Sequence, residues 1–171
     1  NRKHSINEYL TIINKLKQVN SNIKLSSDFI IGYPGETEAD FEKTLELMKK
    51  VRFINSYSFI FSARPGTPSF NLKSIDNEIA KKRLNTFQNL SKKIKTEYRE
   101  TLLSKTMSVL FENKTKDGNK YFGRDEFFNS VIVESNENLT GKIKNVQIAK
   151  VTQNTLYGEI NLKFIKKEFA A

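Results

Sequence analysis

Residues 28–37 read Asp28-Phe29-Ile30-Ile31-Gly32-Tyr33-Pro34-Gly35-Glu36-Thr37, and this passage decides the fold. Phe29, Ile30 and Ile31 close an apolar run over residues 23–31, of the kind that forms a parallel strand covered on both faces. Two glycines and a proline then break the strand. Glu36, Glu38 and Asp40 gather where a helix over 37–50 begins, at the positive end of its dipole, and Phe41, Leu45 and Met48 give that helix its inward face. Upstream, Ser5 and Glu8 fit a capping box, and Ile6, Tyr9, Leu10, Ile13, Leu16 and Val19 recur every three or four residues as the stripe of a helix ending near Val19. Downstream, residues 56–62 predict a second strand that ends in Ala63-Arg64-Pro65-Gly66-Thr67-Pro68, where two prolines and a glycine require an ordered loop. Helix, strand, helix, strand is the rhythm of βα units around a parallel sheet. Two strands do not close such a sheet. Residues 1–74 therefore read as the tail of a larger barrel, which takes roughly 250 residues when complete. The rest is expected upstream of Asn1, in keeping with a chain that starts on asparagine rather than methionine.

Residues 75–105 predict one long helix. Ile79, Leu84, Phe87, Leu90, Ile94, Tyr98 and Leu102 form its packed stripe, and Lys81, Lys82, Arg83, Lys92, Lys93, Lys95 and Arg99 are expected on a wet basic face. That face is open to two readings, a solvated surface or one turned to RNA. From Thr106 the periodicity changes to two. Strands are expected at 107–111, 121–124, 131–134, 142–151 and 156–162, separated by turn signals such as Lys116-Asp117-Gly118-Asn119. Five short antiparallel strands within residues 106–165 fit a small OB-like β-barrel, with 166–171 a frayed tail.

The 171 residues carry 29 Lys+Arg against 19 Asp+Glu, a net charge of +10, with 37% hydrophobic and 11% aromatic residues. That is enough apolar material for a packed core and too much for a disordered chain. No apolar run approaches the roughly 20 residues of a membrane helix, and no signal-like stretch follows the first residues, so neither membrane spanning nor secretion is supported. The absence of cysteine excludes disulfides, thiolate zinc sites, cysteine nucleophiles and thiolate-held iron–sulfur clusters within these residues. Charge is densest in residues 75–105, which carry +4, as much as the whole of 1–74, against +2 for 106–171. A basic surface favours polyanions, although Lys outnumbers Arg 23 to 6, a usage that AT-rich coding also produces.

The two ordered loops follow consecutive strands and so share the C-terminal mouth of the sheet, where βα proteins bind their ligands. Gly32 lets a ligand approach the backbone, and the following helix start offers free N–H donors. Together with Arg2-Lys3-His4-Ser5, with Lys82-Arg83-Leu84 in the long helix, and with Gly123-Arg124 and Asn129 in the small barrel, these motifs resemble the C-terminal portion of the radical S-adenosylmethionine tRNA methylthiotransferases. The resemblance covers nearly the whole chain. It implies an α/β partial radical-SAM barrel of C-terminal βα units over 1–74, a long connecting helix over 75–105 and a TRAM domain over 106–165.

By that resemblance the full-length protein uses S-adenosylmethionine and two four-iron four-sulfur clusters to place a methylthio group on C2 of isopentenyladenosine next to the anticodon. The alternatives are a sibling acting on another adenosine or on a ribosomal protein, and a stand-alone TRAM-like RNA-binding module. The cluster ligands are missing here, so this chain is expected to be inactive alone, with no catalytic residue and no metal ligand. The resemblance places Ile30, Ile31 and Gly32 at the S-adenosylmethionine site and turns Arg2 toward cofactor or substrate. Arg64 is either an RNA contact or a loop-organising partner of Glu36 or Asp28. Arg124, Asn129, Lys142 and Lys144 are the candidate tRNA contacts of the barrel, while Tyr121, Phe122, Phe127 and Phe128 divide between core and base stacking. Glu36 reads as a helix-start carboxylate and His4 as a surface residue. The expected partners are tRNA, through its anticodon stem-loop, and an electron donor for cluster reduction, in a cytoplasmic monomer that contacts no membrane.

Overall fold

The structure, a computed structural model, describes residues 4–116 and 118–160. Arg2, Lys3, Asp117, residues 161–165 of the expected barrel and the tail 166–171 lie outside the described residues. The chain divides into two compact units between Lys95 and Thr96.

The first unit alternates helix and strand: α1 (Ile6–Val19), β1 (Ser26–Ile31), α2 (Glu38–Val51), β2 (Asn55–Ile60), a 3₁₀ turn (Pro68–Asn71), and α3 (Asn77–Glu100) as far as Lys95. Both early helices begin on a reciprocal cap. The Glu8 amide donates to Ser5 Oγ at 3.3 Å while the Ser5 amide donates to Glu8 Oε2 at 2.6 Å, and Thr37 and Asp40 exchange the same pair of bonds at 3.2 Å. The Ser5 amide bond to Glu8, and a 2.7 Å bond from the Thr37 hydroxyl to Asp40 Oδ2, hold both carboxyls below their ordinary values. β1 and β2 run parallel, with Asp28 opposite Tyr57 and Ile30 opposite Phe59. On one side of this pair the core gathers Ile13 of α1, Ile31 of β1, Phe41, Leu45 and Met48 of α2, Phe53, and Phe87 and Ile94 of α3. The Phe29 ring lies 5.5 Å from that of Phe53 and 4.7 Å from that of Phe87.

The other side of the sheet is open among the described residues. Ile30, Tyr57 and Phe59 are 59–60% exposed on it, so β1 alternates instead of being covered on both faces. The physical reason is that the helices contributing to this core all pack on the face of Phe29 and Ile31. The basic side of α3 also departs from a uniformly wet face: Arg83 and Arg99 are buried, whereas Ile79 is exposed and Ala80 takes the core position beside Gly32.

The second unit begins at Thr96 with the last turn of α3 and continues as β3 (Thr106–Lys114), β4 (Lys120–Asp125), β5 (Ser130–Glu134), β6 (Ile143–Val151) and β7 (Leu156–Ile160). The strands close a barrel in the order β3-β4-β5-β7-β6. Four of its pairings are antiparallel, but β5 and β7 run parallel, so the barrel is mixed rather than antiparallel. Parity requires this. A closed ring of alternating strand directions needs an even number of strands, and five must leave one like-directed pair. Inward residues Val109, Phe111, Val131, Val133, Val146, Ile148 and Leu156 fill the interior, joined by Met107, Tyr121, Leu139 and Leu102. Strand coiling brings backbones close at two glycines: a Cβ on Gly123 would lie 2.5 Å from the Leu110 carbonyl oxygen, and one on Gly158 2.5 Å from that of Gln147.

Candidate functional site

Both loops at the C-terminal ends of β1 and β2 are built on the same turn. In Tyr33-Pro34-Gly35-Glu36 the Glu36 amide donates to the Tyr33 carbonyl at 2.9 Å, with Gly35 at φ +87°, and in Arg64-Pro65-Gly66-Thr67 the Thr67 amide donates to the Arg64 carbonyl at 3.3 Å, with Gly66 at φ +81°. Proline followed by a left-handed glycine is the requirement of a type II turn. The Phe61 amide donates to the Ile31 carbonyl at 2.8 Å, and the rings of Tyr33 and Phe61 meet edge to face at 5.0 Å, so the two loops are tied at one mouth.

Beneath the mouth lies a buried ion pair that the sequence reading missed. Arg83 Nη1 donates to both the carbonyl and the Oε2 of Glu36 at 2.9 Å, and its Nε and Nη2 donate to Glu38 Oε2 at 3.1 and 2.8 Å. Glu36 Oε2 accepts a further bond from the Gly32 amide at 3.0 Å. The Arg83 and Glu36 side chains are 8% and 11% exposed, and that of Glu38 is 69% exposed. Glu36 thus stands before the Thr37 cap and folds back under the loop instead of serving the helix start, and its partner is Arg83, not Arg64. Gly32 is left-handed at φ +75°, its absent Cβ 3.0 Å from Ala80 Cβ, and its amide is committed to Glu36.

Of the residues assigned to S-adenosylmethionine, Ile30 faces the open side of the sheet, whereas the Ile31 side chain is fully buried in the core and its carbonyl holds Phe61. Arg2 lies outside the described residues. Arg64 is exposed at the mouth, and among the described residues its guanidinium makes no hydrogen bond. His4 is exposed and stacks on Tyr9 at 6.0 Å. Ile30, Tyr57 and Phe59 expose an apolar strip on the open side of the sheet. An iron–sulfur cluster does not fit, since the chain has no thiolate to hold one and no group of three or more His, Asp or Glu among the described residues is placed to hold a metal ion.

In the barrel, Arg124 Nε donates to Glu112 Oε1 at 3.0 Å, and its guanidinium lies 5.3 Å over the Phe122 ring. Glu112 sits at the register shift between Phe111 and Asn113, a bulge that turns its carboxylate toward β4. Arg124 is opposite Leu110, which in turn is opposite Ile143, so these three side chains share the outer face, whereas Lys144 pairs with the inward-facing Val109 and stands on the other face of β6 from Ile143. Lys142 is exposed in the turn before β6, and Lys144 is half-buried. Asn129 is placed differently: it is 2% exposed, its Nδ2 donating to Asp125 Oδ2 at 2.8 Å and to the Tyr98 hydroxyl at 3.4 Å. It holds the β4–β5 hairpin from within. Arg99, also buried, donates from Nη1 to the carbonyls of Thr152 and Gln153 in the β6–β7 turn. Burial pushes its pKa down against the opposing charge of Asp125. Among the described residues, no helix is long and apolar enough to cross a membrane.

Burial likewise raises the Tyr98 hydroxyl above its ordinary value, against the lowering effect of its Asn129 bond. The folded form resists deprotonation while the unfolded chain ionises near pH 10. Stability from this group is therefore fully present below the unfolded value and is lost as pH rises toward the folded one. Urea midpoints of the chain are expected to fall above pH 10, and Tyr98→Phe is expected to flatten that fall. Equal slopes in the two proteins would remove Tyr98 as its source.

No family model matches the chain. A tRNA-2-methylthio-N(6)-dimethylallyladenosine synthase of Pelagibacter ubique is 48% identical over 167 residues, 98% of this chain and 37% of that protein. Proteins of the same name from Wolbachia pipientis subsp. Culex pipiens and from Rickettsia typhi are each 42% identical, over 92% and 94% of this chain and 37% and 36% of their own lengths. The chain thus spans little more than a third of the curated relatives it matches. Across 92–98% of its residues the chain is thus similar to tRNA methylthiotransferases, at 42–48% identity.

Proposed function

We propose that the chain is the C-terminal part of an enzyme that places a methylthio group on C2 of isopentenyladenosine next to the anticodon of tRNA. The observation that carries this is the 48% identity to a synthase of that name over 98% of the chain. In this reading β1 and β2 are the last strands of a radical-SAM barrel, and their open face, with Ile30, Tyr57 and Phe59, is turned to its interior. An exposed apolar sheet face calls for a covering surface, which supports that placement. On that face Ile30, with Gly32 at the strand end, meets S-adenosylmethionine, and Arg2 takes part in its binding; that cofactor, when bound, supplies the radical that attacks the nucleobase. The cysteines that hold the clusters belong to the rest of the protein. Arg64 contacts RNA at the mouth, while Arg124, Lys142 and Lys144 meet tRNA on the TRAM barrel and Asn129 supports the adjoining hairpin. The full enzyme works as a cytoplasmic monomer with an electron donor.

Nucleoside analysis of a strain lacking the gene tests the reaction. The methylthio derivative of isopentenyladenosine is expected to disappear while unthiolated isopentenyladenosine accumulates. Loss of any other product would transfer the assignment to a sibling activity. Binding of tRNA by the chain is expected to be weak and to fall steeply with salt, since lysine–phosphate contacts release counterions. An Arg64→Ala variant with unchanged tRNA affinity would remove Arg64 from that surface.

A further inference from the structure

Among the described residues, three non-glycine residues have left-handed backbones, Arg52, Ser104 and Phe128, and of these only Phe128 is aromatic, at φ +61°. A bulky side chain there is a true conformational outlier and persists only where its surroundings dictate it. Here they do. Asp125, itself 5% exposed, accepts from the amides of Phe127 and Asn129 and from Asn129 Nδ2, each at 2.8 Å, and its carbonyl accepts from the Phe128 amide at 3.0 Å. All of this order ends in a ring that is 72% exposed. Phe127, not Phe128, packs against the barrel core. The Phe128 ring therefore serves no packing purpose among the described residues, although the hairpin holds it rigidly outward.

The surface beside it has matching chemistry. Arg124 lies over the half-buried Phe122 ring on β4, and Leu110 and Ile143 extend the same outer face at 47% and 66% exposure. β4 and β5 are the second and third strands of a closed five-stranded barrel, and in barrels of this kind that pair commonly binds oligonucleotides. Residues 106–171 carry only +2, which is little for gripping a duplex through its phosphates. Aromatic faces with an arginine plane instead suit unstacked bases.

Resting on the reading of this chain as RNA-binding, we propose that Phe128 is a stacking residue for an unpaired base of the bound RNA, presented by the Asp125–Asn129 hairpin beside the Phe122–Arg124 surface. Affinity of the chain for a fluorescein-labelled oligouridylate is expected to fall roughly tenfold in Phe128→Ala, the scale of one lost base stack, while affinity for a blunt RNA duplex is unchanged. Phe128→Gly relieves the backbone and is expected to raise the melting temperature while weakening oligouridylate binding equally. A lowered melting temperature in Phe128→Gly would show a structural ring and overturn the proposal. The chain has no tryptophan, so Phe128→Trp supplies a single indole whose emission is expected to be quenched on binding. Equal binding by the parent chain and Phe128→Ala overturns this inference alone, and absence of RNA binding by the parent chain overturns it together with the reading beneath it. Self-association that vanishes in Phe128→Ala, with RNA affinity unmoved, would make the ring a protein contact and overturn it as well.

Discussion

Arg83→Ala is expected to destabilise the first unit by about 3–5 kcal/mol, the cost of removing one partner from a buried ion pair. The loss is not that of two surface salt bridges. Glu38 is 69% exposed, and its share of the interaction is worth little. What decides the size is Glu36, 11% exposed, whose carboxylate would be left buried with the Gly32 amide as its remaining hydrogen-bond partner. Arg83 also donates to the Glu36 carbonyl, so the turn that sets up the mouth loses its support. Arg83→Lys keeps the charge but not the fork that reaches both carboxylates and the carbonyl, and an intermediate loss is expected. Removing both partners, as Arg83→Ala with Glu36→Ala, is expected to cost less than Arg83→Ala alone, because no unpaired charge stays buried. Urea unfolding followed by circular dichroism measures all three variants. Glu36→Ala alone completes the cycle, and a double-variant loss equal to the sum of the two single losses would mean that Arg83 and Glu36 are not coupled.

Gly123→Ala is the second large effect, expected to cost the barrel about 3 kcal/mol, the upper range for forcing atoms into a filled interior. The added methyl would lie 2.5 Å from the Leu110 carbonyl oxygen, 2.8 Å from Val109 Cγ1 and 3.0 Å from Phe111 Cα. Two of these are backbone atoms of the paired strand and cannot swing aside as a side chain does. Gly158→Ala meets the Gln147 carbonyl and Val146 Cγ1, each at 2.5 Å, and should behave alike. Gly141→Ala provides the contrast: nothing lies within 4 Å, and only its φ of +77° is disfavoured, for a loss of about 1 kcal/mol. A thermal midpoint as mildly lowered in Gly123→Ala as in Gly141→Ala would show that β3 and β4 can separate to admit the methyl.

Much of this architecture is legible in the sequence because its signals are local. The capping box at Ser5 announces α1 and the acidic cluster of Glu36, Glu38 and Asp40 announces α2, each to within a residue or two, and the change of period near Thr106 marks the barrel strands. What escapes depends on contacts distant in the chain. Arg83 looks like part of a basic run, yet it stands three residues after Ala80 and four before Phe87, on the buried stripe, and its partners lie 45 and 47 positions away. In a chain with 23 lysines and 6 arginines, an arginine on the apolar side of a helix was the available signal. The exposure of Ile30 was hidden for a similar reason, since an apolar run does not say which face the helices will choose. The Gly123-Arg124 and Asn129 motif points to the barrel, but the packing of the strands divides its labour: Gly123 for close strands, Asn129 for the hairpin within, Arg124 for the surface.

The place of β7 between β5 and β6 has a consequence for how the barrel comes into being. During synthesis β3, β4 and β5 can pair as they appear, each with its neighbour in sequence, and β6 can join β3. The gap between β5 and β6 stays open until Leu156–Ile160 arrives to fill it, one edge parallel and the other antiparallel. Until then the nascent chain shows two unpaired strand edges, the condition that invites wrong partners and chaperones. Pairing β5 with β7 also spans all of β6, a closure made late and against chain entropy. Ribosome-bound chains that stop short of Leu156 should accordingly remain protease-sensitive in residues 106–151, and protection should arrive in a single step with the last strand.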